Sequence, residues 1–428
     1  MRLLDARTPS FRDELMPLLA RDEDTVGGIA AAVTDILAQV RARGDEAVRE
    51  LTERFDGTDG SCGYRVSPEE IEEAVRVCSS EALDAIDLAA GRIEAYHARQ
   101  LPEDVRWTDE IGTELGWRWT AIDAAGLYVP GGTAVYPSSV LMNALPAKIA
   151  GAERIVMVTP AKEGRLNPLV LAAAKRAGVT EIYKIGGAQA VAALAYGTKS
   201  IEPVDKIVGP GNAYVTEAKR QVFGRVGIDS IAGPSEITVI ADEKADPRAI
   251  AADLLSQSEH DVLSQSVLIT PSRELIERVE KEIGVQLHGH HREKIAREAI
   301  GKQGIAVLTE DLARAAEVAN IVAPEHLELV TEDPDALLPL IKHAGAVFLG
   351  RYTPEAIGDY VGGPSHVLPT SRSARFSSGL SVYDFLKRMS VTGCSKKAFE
   401  KIGPAAARLA DEEGLPSHAA SVTLRLGK

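Results

Sequence analysis

At 428 residues with 45% hydrophobic content, the chain is long enough to bury two or three ordinary cores and reads as globular. Its 48 lysines and arginines against 62 acidic residues leave a balance of −14, which repels phosphate backbones and anionic lipid and argues against nucleic-acid or membrane-surface binding. No run approaches the roughly 18 apolar residues of a membrane span, and Cys62, Cys78 and Cys394 lack CxxC spacing, so a cytoplasmic protein is expected rather than an exported, disulfide-braced one.

The first hundred residues read as helical scaffold. Ile29 to Val40 repeats apolar residues at helical spacing, and Pro68 to Gln100 continues that pattern past Gly91 with acids in its first turns, as the helix dipole favours. The segment from Thr113 to Pro130 is richer in aromatic and β-type residues and runs into Gly131 and Gly132, where a new domain is expected to begin. From Arg154 the pattern alternates. RIVMV is a strand, Asn167 and Pro168 open a helix that Gly178 closes, and EIYKI is a strand. AQAVAALAYG, KIVG, NAYVTEAKRQVF and ITVIA then continue a βαβαβα rhythm, which calls for a parallel sheet covered by helices. After Asp242 the rhythm resumes through a helix over Ile250 to Gln257, strands SVLIT and GIAVL, a helix before Pro324, and strands LELV and AVFLG. Beyond Ser381 the chain is expected to turn helical before a β-like ending, ASVTLRL.

Several polar residues stand out against this background. Gln257 and His260 are spaced so that both can face one point near a helix end, which is metal-ligand spacing. Asp359 ends a short helix before a Gly-Gly-Pro turn, where the macrodipole disfavours an acid, and His418 near the chain end is a further candidate ligand. Two oxygens and two nitrogens suit zinc or manganese. His288, His290 and His291 lie in a charged connection with no acid between them and read as a solvated loop. Glu325 and His326 follow Pro324 at a helix-to-strand junction and could transfer protons near neutral pH. Ser235 and His366 lie on loops where either could touch a ligand. No GxGxxG follows a strand. The turns carrying Asn212 in GPGNAY, Gln189 after Gly186 and Gly187, and Tyr128 before Pro130 could instead present backbone amides to an anionic dinucleotide at the carboxyl ends of parallel strands.

Taken together, LYVPGGTAVYPSSVLMNALPAKIAGA, IGGAQAVAALAYGT, VGPGNAYVTEAKRQV, DSIAGPSEITVIAD, DLLSQSEHD, APEHLEL, GDYVGGPSHVLPT and EEGLPSHAASV closely resemble the histidinol dehydrogenase family. The resemblance implies oxidation of L-histidinol to L-histidine, the last step of histidine biosynthesis, in two NAD-dependent steps through an enzyme-held aldehyde. It implies one zinc per subunit, with manganese possible, on Gln257, His260, Asp359 and His418. Glu325 and His326 would be the acid-base pair. Ser235, His366 and Glu413 would contact substrate beside the ligands and His326, while Tyr128, Gln189 and Asn212 would contact NAD. The implied fold is α/β, with two incomplete Rossmann-like, aldehyde-dehydrogenase-like domains, the second inserted in the first. Its expected divisions are an N-terminal helical segment at 1–23, a first domain at 24–128 plus 237–380, an inserted NAD-side domain at 129–236, and a C-terminal tail at 381–428 swapped across a homodimer. A superfamily relative acting on another small alcohol and a metallohydrolase are the alternatives.

Overall fold

The computed structural model describes residues 1–20, 26–57, 63–131 and 136–427. Cys62, Gly132 and the expected division at residue 23 lie outside them. The chain forms two compact units, Met1–Arg99 with Asp123–Phe385, and Gln100–Ile122 with Leu386–Lys428.

The first unit holds two parallel sheets. One has six strands in the spatial order Arg2–Asp5, Ile305–Leu308, Gln265–Thr270, Glu236–Ala241, His326–Val330 and Ala346–Leu349. The other has five, in the order Glu181–Tyr183, Arg154–Val158, Ala124–Tyr128, Lys206–Val208 and Gly227–Ile228. The inner strands are mostly apolar and buried along nearly all their length, as expected for sheets with helices on both faces. The five-stranded segment interrupts the six-stranded sheet between its first strand and Glu236–Ala241. In the five-stranded sheet the chain winds outward from Ala124–Tyr128 and returns to its other flank, and in the six-stranded one it does the same from Glu236–Ala241, with Arg2–Asp5 at the edge.

The boundaries differ from the expected ones. Ala124–Tyr128 is the middle strand of the five-stranded sheet, so that sheet begins before residue 129. Val33, Leu37, Val48 and Leu51 share a core with Val156, Val191 and Ile207, which ties the early helices to this sheet rather than to the six-stranded one. The first residues are not purely helical either. Arg2–Asp5 is an edge strand in register with Ile305–Leu308 and buries Leu4, although it is too short for any period to show. The helical stretch from Pro68 is two helices, Pro68–Val77 and Ser80–Ala98, because Ser79 accepts the N–H of Ala82 and starts a new one. A helix the period reading passed over, Arg273–Leu287, is capped by Ser272.

The second unit also departs from expectation. Leu386–Cys394 is a strand, paired antiparallel along its full length with Thr113–Ala121, which pairs in turn with Val105–Thr108. The β-like ending is helical: Pro416–Thr423 packs on Lys396–Glu412, with Pro416 in its first turn and Thr423 Oγ1 donating to the Ala419 carbonyl. Tertiary packing overrides the strand preference of Val422 and Thr423.

Candidate active site

The catalytic candidates gather at the amino edge of the six-stranded sheet. The helix Leu312–Val322 ends at Ala323, a non-glycine residue at φ +51°, and Pro324 stops it from continuing. The chain thus turns sharply into Glu325 and His326. His326 opens its strand beside Ile237, so both side chains meet the start of Glu236–Ala241. Glu325 Oε2 accepts the Glu236 N–H at 2.9 Å, and His326 Nδ1 lies 2.9 Å from the Glu236 carbonyl oxygen. A carbonyl only accepts, so Nδ1 carries a proton in either charge state and Nε2 is the exchangeable position. That Nε2 is buried without a hydrogen-bond partner among the described residues, 3.7 Å from Asp359 Oδ1.

Three carboxylates surround the ring. Burial works against the imidazolium, but Glu325, Glu355 and Asp359 outweigh it and lift His326 well above its ordinary value. Burial pushes the Glu325 carboxyl up to about 8, against the pull of His326 and the Glu236 N–H. Asp359 is buried too, yet His326, His366 and His260 hold it below the usual carboxylate range. Glu355 was not among the expected residues. It is buried, its Oε1 lies 3.8 Å from His326 Nδ1, and its Oε2 lies 3.2 Å from Ser256 Oγ. Burial pushes it up to about 7. The ligand atoms of His326, Glu355 and Asp359 fall within 4.8 Å of one another. The one signal for Glu355 in the sequence is its spacing, one helical turn before Asp359 in PEAIGDY.

Gln257 sits in the last turn of Pro247–Ser258, with Oε1 buried and unpartnered among the described residues. His260 follows the helix end, its N–H donating to the Gln257 carbonyl at 3.2 Å. Arg292 donates to the carbonyls of Glu259 and His260 and braces that end, while His290 Nε2 lies 3.4 Å from Glu259. The histidine-rich connection therefore supports the Gln257 helix, with His288 and His291 exposed. His366 Nδ1 donates to the Asp359 carbonyl at 3.1 Å and Nε2 lies 3.1 Å from Ser139 Oγ, with burial holding its pKa down. Ser235 immediately precedes Glu236, and its carbonyl accepts the Gln265 N–H. Glu413 and His418 are exposed members of the second unit, one capping Lys396–Glu412 and the other in the first turn of Pro416–Thr423.

The dinucleotide candidates lie at the carboxyl ends of the five-stranded sheet. Buried Tyr128 ends the middle strand; its hydroxyl oxygen accepts the Gly187 N–H at 3.0 Å, and burial lifts it to about 12. Asp56 accepts the Gly186 N–H, and Asn212 Oδ1 caps the N–H groups of Tyr214 and Val215. The turns therefore do not hold out these amides, as the sequence led one to expect, because Asn212 caps its own helix while Asp56 and Tyr128 take the Gly186 and Gly187 N–H groups. Gln189 is different: it is fully buried, with neither amide atom bonded among the described residues. A buried primary amide left so is costly without a ligand.

The histidinol dehydrogenase family model matches residues 19–426. Histidinol dehydrogenase of Rhodopseudomonas palustris is 58% identical over 426 residues, covering 99% of this chain and 99% of that protein. The Rhodospirillum rubrum protein of the same name is 57% identical over 427 residues, at 99% and 98% coverage. The crystal structure of histidinol dehydrogenase from Elizabethkingia anophelis superposes with a TM-score of 0.95 at 36% identity, covering 100% of this chain and 98% of that one. A family match over nearly the whole length, joined to relatives this similar from end to end, makes the chain a member of the histidinol dehydrogenase family.

Proposed function

We propose that this chain oxidises L-histidinol to L-histidine in the cytoplasm with NAD as acceptor, holding L-histidinaldehyde on the enzyme between two successive oxidations. The observation that carries the reading is His326, whose Nδ1 is fixed on the Glu236 carbonyl while Nε2 stands buried beside Asp359, unpartnered among the described residues. The donor set fits a borderline divalent ion: Gln257 Oε1 is a buried oxygen with no partner among the described residues, and Asp359 is kept ionised by its histidine neighbours. Zinc, or manganese, would be held by Gln257, His260, Asp359 and His418, and the orphaned amide of Gln189 suits NAD together with Tyr128 and Asn212. When bound, the ion supplies a redox-inert template for the substrate imidazole and amine, and NAD supplies the hydride acceptor.

The residues of the chain do the rest. The neutral form of His326, with Nε2 free of its proton, takes the substrate hydroxyl proton in each oxidation, and the proton on Nδ1 stays where the Glu236 carbonyl holds it. Glu325, pushed up to about 8 by burial, is matched to take a proton from water near neutral pH as the aldehyde becomes its hydrate. His366, kept neutral by burial and held between Ser139 and the Asp359 carbonyl, orients the substrate without adding charge. Ser235 and Glu413 complete the substrate contacts. Burial of the site keeps the aldehyde from escaping.

The test is the stoichiometry of NADH formed per histidinol consumed, with and without a chelator. Two NADH per substrate, abolished by the chelator, is the expected result. One NADH per substrate would reduce the enzyme to a simple alcohol dehydrogenase, and none would reject the reading.

A further inference from the structure

In the five-stranded sheet the winding reverses between Ala124–Tyr128 and Lys206–Val208, which lie side by side. Ligands of parallel α/β sheets bind in the crevice at the carboxyl ends of two such strands, where the following loops diverge. Tyr128 ends one of these strands and Gly209 follows the other. The approach is close. Gly209 has φ +109°, and a Cβ on it would stand 2.1 Å from the Tyr128 carbonyl oxygen, so no side chain fits there.

Both backbone groups of Gly209 are gripped by one buried ion pair. Asp229 Oδ2 accepts its N–H at 2.7 Å, and Lys219 Nζ donates to its carbonyl at 2.9 Å. The two side chains also pair with each other, 3% and 5% exposed. Lys219 lies in the helix Ala213–Val222 that Asn212 caps, and Asp229 follows the neighbouring strand Gly227–Ile228. The turn is thus tied to the elements on either side of it. A buried charge pair rarely adds stability over apolar residues of equal volume, so its use at this turn calls for a geometric reason.

We infer that Lys219 and Asp229 are positioning residues for the dinucleotide, fixing the Gly209–Asn212 turn against the end of the Tyr128 strand so that Asn212 meets NAD. This rests on the reading that Tyr128, Gln189 and Asn212 face NAD.

The test measures NAD and histidinol affinities separately, by calorimetry on the zinc-loaded protein, in Lys219→Met, Asp229→Leu and the double variant. Each single variant leaves one buried charge unpaired and can fail to fold. The double variant removes both charges while leaving Gly209 unclamped, and is expected to fold because such replacements are commonly tolerated. In every folded variant NAD affinity should fall at least about tenfold, the scale of lost hydrogen bonds to charged groups, with histidinol affinity within about twofold of the unaltered protein. NAD affinity that is unchanged in the double variant, or that falls together with histidinol affinity, would overturn the inference and leave the pair a support of the fold. Gln189→Met separates the two readings. If it weakens NAD while the clamp variants do not, only the positioning role falls; if it too leaves NAD unchanged, the placement of NAD falls with it.

Discussion

Glu325 shows what burial does to a single residue. Its carboxyl is lifted from 4.5 to about 8, so the folded chain keeps a proton that the unfolded chain has already released. The stability this contributes is fully present below 4.5 and is lost as pH rises through about 8. In metal-free protein, the stability of the unaltered chain relative to Glu325→Gln should therefore fall across that window, by at most about 1.4 kcal/mol per pH unit, and level off above it. Urea unfolding at a series of pH values measures this; parallel profiles for the two proteins would show that Glu325 is ionised in the fold. Glu325 and His326 were readable in the sequence because an acid and an imidazole stand together just after Pro324. Glu355 was not, since an acid in the first turn of a helix is the ordinary choice there and only its burial marks it out. The Glu236 carbonyl that fixes His326 belongs to the backbone, and no residue type announces it.

One short helix, Glu355–Tyr360, carries both Glu355 and Asp359, and its seating depends on Gly358. A Cβ there would lie 2.3 Å from the Phe348 ring, whose centroid is 6.0 Å from that of the His326 ring. Phe348 thus packs against both Gly358 of this helix and the ring of His326. Gly358→Ala should push the helix away, lowering stability by about 1–3 kcal/mol as overpacked cores do. Zinc affinity should fall with it while NAD affinity holds, because Asp359 moves and the five-stranded sheet does not. Denaturant midpoints and paired zinc and NAD titrations check this, and undiminished zinc affinity would show that the ring yields instead. Elements of this kind were only partly readable. Long apolar runs such as ITVIA could be placed directly, whereas Arg2–Asp5 is a strand through its pairing with Ile305–Leu308, and ASVTLRL is helical through its packing on Lys396–Glu412. Local period carries neither fact.

Across the whole molecule, the two α/β stretches could be read from alternation, but the second unit could not, because it joins Gln100–Ile122 to Leu386–Lys428 by strand pairing across most of the chain. Glu413 and His418 belong to this second unit, whereas Gln257, His260, Glu325, His326 and Asp359 belong to the first. If the tail acts in trans in a homodimer, each site combines His326 of one chain with His418 of the other. Mixing His326→Ala with His418→Ala under subunit exchange then yields heterodimers in which one site carries both defects and the other carries neither. Random exchange of equal amounts makes about half of the dimers mixed, so close to a quarter of the sites, and of the original activity, should return from two inactive parents. If each tail instead serves its own chain, every site in the mixed dimer keeps one defect and mixing restores nothing. Differently tagged subunits report that exchange has occurred, and inactivity after confirmed exchange would reject the shared site while leaving the metal ligands themselves in place.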